Sequence, residues 1–150
     1  PKIKRVHPTI DFGFVGDFEV ANINTTLLQS LLAQDITPVC CALTHDNRGT
    51  MLNTNADTLA AGLAQSLANQ FKTELIYCFE KSGVLIDVND ESSLLKELSF
   101  DAYQQLKGNG KIVDGMIPKL DNAFQTHEKG VGVTIKNALQ LNETTGTQLI

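Results

Sequence analysis

The residues of this 150-residue chain that could do chemistry stand in three short clusters. The first is Asn53-Thr54-Asn55-Ala56-Asp57, which opens an apolar-periodic stretch. A helix start carries unpaired backbone N–H groups and partial positive charge, so Asn and Asp cap it well. Capping alone would account for these residues taken singly. Three polar side chains in five residues exceed what one cap requires. An amide pair with a carboxylate could also bind a small polar substrate and orient cations. The second cluster is Gly115-Met116-Ile117-Pro118-Lys119. Pro118 suits a first helical turn. Lys119 opposes the macrodipole there, unless an anion such as phosphate binds between the lysine and the helix. The plain alternative is a solvated lysine. Gly115 would let the backbone approach a ligand. The third cluster is Phe79-Glu80-Lys81-Ser82-Gly83, after an apolar run. A strand, a polar turn and a glycine can cradle a nucleotide, although most such turns are only turns.

Other chemistries find little support. No Walker lysine loop and no GxGxxG occurs. His7, His45 and His127 share no metal-ligand spacing with each other or with cysteines. No serine sits in a nucleophile elbow. A net charge of −5 argues against a nucleic-acid partner, which would call for a basic face. No apolar run approaches a membrane helix and no basic-then-apolar leader opens the chain. Apolar residues at 42% and charged residues at 19% fit a packed, enzyme-like body. Cys40, Cys41 and Cys78 lie inside apolar runs, which reads as reduced, buried thiols of a cytoplasmic protein.

The elements that must position these clusters follow from periodicity. Residues 3–22, with Gly13 and Gly16, read as two short strands and a turn. A helix follows with Asn24 as N-cap and Leu27, Leu28, Leu31 and Leu32 as its apolar stripe. Residues 36–43 read as a buried strand and 45–49 as a hairpin tip. The clearest helix spans 56–71, with Leu59, Leu63, Leu67 and Phe71 on one face. Gly62 inside it costs about 1 kcal/mol against alanine. Close packing or simple drift would each explain it. Residues 75–79 form another buried strand and 87–93 a polar surface loop. Helices are expected over 100–106 and from Pro118 to a stop at Gly130. Val131, Val133 and Ile135 alternate as a strand, and 146–150 form an edge strand. Helices alternating with apolar strands imply an α/β fold with a mostly parallel sheet covered on both faces. In such sheets ligands sit beyond the carboxyl ends of the strands, so 44–57, 79–84 and 108–119 are the loops expected to hold the site.

Taken in order, Phe12-Gly13-Phe14-Val15-Gly16-Asp17, Asn53-Thr54-Asn55-Ala56-Asp57 and Gly115-Met116-Ile117-Pro118-Lys119 resemble the amino-acid kinase family, and within it the acetylglutamate kinases. Gly146-Thr147-Gln148-Leu149-Ile150 is similar to their terminal strand. The resemblance covers essentially the whole chain and matches the family's carboxyl-terminal half. Pro1, rather than methionine, also suggests a chain that starts inside a longer protein.

The resemblance implies a three-layer αβα sandwich, with residues 1–150 as the nucleotide-binding lobe of a single domain. It implies transfer of the ATP γ-phosphoryl group to the side-chain carboxylate of an N-acyl-L-glutamate, acetyl or succinyl, in arginine biosynthesis. Asn53 would hold that substrate. Asp57 would organise the catalytic lysines and Lys119 would neutralise the phosphoryl group in flight. Glu80, Lys81, Ser82, Gly83, Val84 and Leu85 match the family's nucleotide contacts by position, as do Lys111, Ile112, Val113, Gly115 and Met116. The usual small residue followed by aspartate is Phe79-Glu80-Lys81 here. Mg2+ would ride on the nucleotide phosphates, with no metal site of the protein's own. The partners expected are ATP and the acyl-glutamate, with no nucleic acid and no membrane. The full-length protein is expected to be a homodimer. An aspartate, uridylate or carbamate kinase, or a non-catalytic nucleotide-binding module, stays open.

Overall fold

The computed structural model describes residues 2–3, 8–112 and 114–150, with Lys2, Ile3 and Asp114 as backbone only. His7, Val113 and most of the opening strand lie outside the described residues. The chain packs as two compact units, Pro1–Leu67 and Ala68–Ile150.

In the first unit, β1 (Lys2–Ile3) pairs antiparallel with β2 (Gly16–Asp17). Gly13 takes φ +71 shortly before β2, and its N–H donates to Asp11 Oδ1 at 2.7 Å. Helix α1 (Thr25–Leu32) begins as expected, with Asn24 Oδ1 accepting from the Leu27 N–H at 3.0 Å. Its leucine stripe is present, yet no residue of α1 is buried. Strands β3 (Leu43–His45) and β4 (Met51–Asn53) form an antiparallel hairpin. Asn47 and Gly49 supply the positive φ of its tip, and Asp46 Oδ1 accepts from the Arg48 and Thr50 N–H groups.

Residues 36–42 are not the buried strand that their composition suggests. Val39 is 95% exposed, and Cys40 and Cys41 are exposed as well. The run stays out of any ladder among the described residues; Ile36 N–H bonds Leu31 O and Ala42 O accepts from Thr54 N–H. Apolar composition makes a strand only where a neighbouring strand takes its N–H and C=O groups. Helix α2 spans Ala56–Leu67, four residues short of the expected end, and Phe71 is exposed. Gly62 settles as a packing glycine: a Cβ there would lie 2.7 Å from Phe18 Cε2.

In the second unit, β5 (Glu74–Phe79) leads to a turn and loop and then to β6 (Glu97–Leu98). Helices α3 (Phe100–Gly108) and α4 (Ile117–His127) follow. The chain ends on β7 (Gly132–Asn137) and β8 (Thr147–Leu149). The sheet order is β5-β7-β8-β6. β5 and β7 run parallel, as do β6 and β8, while β7 and β8 are antiparallel. The α/β class with a mostly parallel sheet is borne out.

Two expectations need correction. The strand at the chain's end is interior rather than an edge, because β6, too short to announce itself in sequence, pairs on its far side. Cys78 is free but exposed, since β5 is the edge strand and buries only Leu75 and Tyr77 of its alternating residues. Stacked Tyr103 and Phe124 rings, 5.2 Å apart, join α3 to α4, and Leu120, Val133, Ile135 and Leu149 complete the core around them.

Candidate functional site

The second unit holds a cleft of about 660 Å³ beyond the carboxyl ends of β5 and β7. Two parallel strands end here side by side, with Phe79 in register with Asn137. Asn137 closes that end: its Nδ2 donates to Glu80 O at 2.7 Å and its Oδ1 accepts from Leu139 N–H at 2.8 Å. The next residue, Ala138, is part of the cleft lining.

The turn after β5 is anchored from below. Val84 N–H donates to the buried Thr147 Oγ1 at 2.8 Å, and the Thr147 hydroxyl donates to Leu95 O at 2.5 Å. Gly83 is required at this spot, because a Cβ would fall 2.6 Å from Thr147 Oγ1 and 2.9 Å from Thr147 N. The polar turn therefore lies flat over the sheet end and presents Glu80, Lys81 and Gly83 to the cleft. Val84, Leu85, Val88, Ile112 and Met116 give it an apolar wall.

The second lysine comes from α4. Its N-cap, Met116, makes no side-chain cap hydrogen bond, and its first turn carries no acidic residue. Pro118 sits in that first turn, as expected. Lys119 Nζ stands 5.0 Å from the centroid of the Phe79 ring, a cation–π distance that holds the ammonium at the cleft. Positive charge and a helix N-terminus thus share one side of an apolar slot. Lys81 is paired at 3.3 Å with Glu91, whose other carboxylate oxygen accepts from the Ser82 hydroxyl. The Ser82 hydroxyl, and after it Lys81, hold the Glu91 carboxyl below its ordinary value.

The cleft collects Glu80, Lys81, Gly83, Val84, Leu85, Ile112, Met116 and Lys119 of the residues picked from sequence. Ser82, Lys111 and Gly115 are not in its lining; Ser82 is turned to Glu91, and Lys111 and Gly115 are exposed. Phe79, from the same candidate turn, lines it too, and Cys78, Val88 and Ala138 line it without having been singled out as contacts. The adjoining Asn137 was missed as well. Nothing in a polar loop marks Val88, and Asn137 is identifiable only once β5 and β7 are known to be neighbours.

Asn53 and Asp57 belong to the first unit. Asn53 ends β4, exposed, with its N–H donating to Phe14 O at 2.7 Å. The cap of α2 is Asn55, whose Oδ1 accepts from the Thr58 N–H at 2.9 Å and from the Thr58 hydroxyl. Asp57 lies one residue inside the helix, in its first turn, where a carboxylate also favours the positive end of the helix dipole. Among the described residues no three His, Cys, Asp or Glu side chains gather as a metal cage. No helix of the described residues is long and apolar enough to cross a membrane.

Known proteins resemble this chain in sequence and fold. The acetylglutamate kinase of Parabacteroides distasonis is 46% identical over 97% of this chain and 57% of its own length. That of Cytophaga hutchinsonii is 47% identical over 94% of this chain and 55% of its own length. The chain thus spans about half the length of the curated relatives it matches. The crystal structure of smu.665 from Streptococcus mutans UA159 superposes with a TM-score of 0.73 at 32% identity, covering 92% of this chain and 51% of that one. The model of the amino acid kinase family matches residues 6–137, and with that match the chain belongs to the amino acid kinase family.

Proposed function

We propose that this chain is the nucleotide-binding portion of an acetylglutamate kinase. The observation that carries this reading is the cleft at the strand ends, with Lys119 held in the first turn of α4 beside an apolar slot. The slot's volume suits a nucleotide and its lining divides by chemistry. Val84, Leu85, Val88, Ile112 and Met116 offer dispersion contacts to a flat base. Lys81 and Lys119 offer positive charge to phosphates.

The reaction is transfer of the γ-phosphoryl group of ATP to the side-chain carboxylate of N-acetyl- or N-succinyl-L-glutamate, as a step of arginine biosynthesis. A carboxylate oxygen forms the new bond to phosphorus while the bond to the bridging oxygen of ADP breaks. The products are an acyl phosphate and ADP. The acceptor is already an anion, so no base takes a proton. Positioning and charge stabilisation carry such a transfer. Lys119 stabilises the charge on the phosphoryl group during transfer. Asn53 holds the acyl-glutamate and Asp57 orders the catalytic lysines, as the family resemblance implies. Mg2+ would be held by the nucleotide phosphates and would neutralise part of their charge there. The whole protein acts as a cytoplasmic homodimer.

In the full-length protein Lys119→Ala is expected to lower kcat by roughly 10²–10³ with a smaller change in KM for ATP. Steady-state kinetics with ATP, magnesium and N-acetyl-L-glutamate check this. A near wild-type kcat would remove Lys119 from the transition state and with it the reading of the cleft.

A further inference from the structure

One wall of the cleft is carried by a loop that is almost self-contained. Asp87 Oδ1 accepts from Asn89 N–H, Asp90 Oδ1 from Ser92 N–H, and the Ser93 hydroxyl bonds Asp87 and Asp90 carbonyls. At the neck Leu85 and Leu94 form a bridge and Ile86 N–H donates to Ser93 O. Val88 projects from this knot into the cleft lining. Of the side chains of 87–93, that of Glu91 reaches out of the loop by hydrogen bond and ion pair: to the Ser82 hydroxyl and to Lys81 Nζ at 3.3 Å.

We propose that Glu91 is a positioning residue of the cleft, clipping the 87–93 loop to the turn after β5 and so setting both the Val88 wall and the availability of Lys81. The inference rests on the cleft being the nucleotide site. The clip has two separable parts. Its hydrogen bond with Ser82 holds the loop, and with it the apolar surface against which a base would lie. Its charge competes with phosphate for the Lys81 ammonium, because Lys81 lines the same cleft. Lys81 and Glu91 are about half exposed, so the competition is between weak partners and phosphate can win it.

Two variants part these effects. Glu91→Gln keeps an acceptor for Ser82 and removes the charge from Lys81. Glu91→Ala removes both. The exposure of Glu91 leaves the fold intact in either, which a thermal melt verifies. Amide hydrogen exchange over 87–93 in the ligand-free, full-length protein reads the clip without any nucleotide. Calorimetric titration with adenosine reads the wall, and with ATP the wall plus Lys81.

Glu91→Ala is expected to speed exchange across 87–93 and to weaken adenosine about two- to fivefold, the scale of an exposed polar pair. Glu91→Gln is expected to leave adenosine binding alone and to raise the ATP-over-adenosine affinity ratio by a similar factor. Unchanged exchange in Glu91→Ala overturns the proposal, as does unchanged adenosine affinity in a protein that binds adenosine. Wild-type protein that binds neither adenosine nor ATP overturns the nucleotide reading instead, and the exchange data then decide the clip alone.

Discussion

Asn55 and Asp57 sit two residues apart and do different work. Asn55 satisfies the start of α2 through the Thr58 N–H at 2.9 Å. Asn55→Ala should therefore cost about 1 kcal/mol of stability, the usual price of a lost N-cap. Asp57→Asn replaces the carboxylate with a neutral amide of the same shape in the first turn, and the stability should change by less than about 1 kcal/mol. In the full-length protein, on the proposed function, it should nevertheless lower kcat. Paired denaturation and activity measurements on the two variants check the division. A melt that drops for Asp57→Asn while turnover holds would return Asp57 to a structural role. The sequence showed the two residue types and their spacing. It could not show which one capped the helix, because a two-residue shift of the helix start would put Asp57 at the cap instead of Asn55.

At the scale of elements, α3 and α4 are clamped by a polar group beside their aromatic core. Lys107 Nζ reaches both oxygens of Asp121, at 2.9 and 3.0 Å, and the Tyr103 hydroxyl donates to Asp121 Oδ1 at 2.7 Å. Lys107 foremost, and also Tyr103, hold the Asp121 carboxyl below its ordinary value of 3.8. Asp121 in turn raises Lys107 above 10.5. A depressed carboxylate adds stability above its unfolded pKa, and loses it as pH falls through the folded one. A raised lysine adds stability below its unfolded pKa and loses it as pH climbs through the folded value. Lys107→Met should thus lower Tm at neutral pH, with the gap to wild type closing below 3.8 and above 10.5. Melts across pH check it; a gap that stays constant would show that only packing was lost.

Those two helices were legible from their spacing, as were β5 and β7, because apolar runs bounded by polar turns leave few options. The run at 36–42 misled for the opposite reason. A strand is completed by a partner that local composition does not contain. β6 escaped notice because two residues carry no period, and β8 was placed at an edge for want of β6. The cleft followed from the strand ends, whereas Val88 and Asn137 needed the fold to bring them there.

For the molecule as a whole, the 150 residues span about half of the relatives' length. Both lysines of the cleft, Lys81 and Lys119, lie in the second unit. The chain by itself should hold ATP weakly and show no turnover with N-acetyl- or N-succinyl-glutamate. Its exposed Ile36, Val39, Leu43 and Met51 should make it prone to associate. Calorimetry, a coupled ADP assay and sedimentation check the three statements in turn. Robust turnover would mean that the catalytic apparatus has been assigned to the wrong residues.

Thr147 gives the cleft a history as well as a floor. Its hydroxyl joins partners 52 and 63 residues away along the chain. Loops of that size close late, after local helices and hairpins have formed. The surface under the turn is therefore expected to be among the last parts of the second unit to form. Thr147→Val is accordingly expected to speed unfolding more than it slows refolding, which stopped-flow kinetics check. A lesion there would act as a clock running fast: a cleft built at its ordinary pace and lost early.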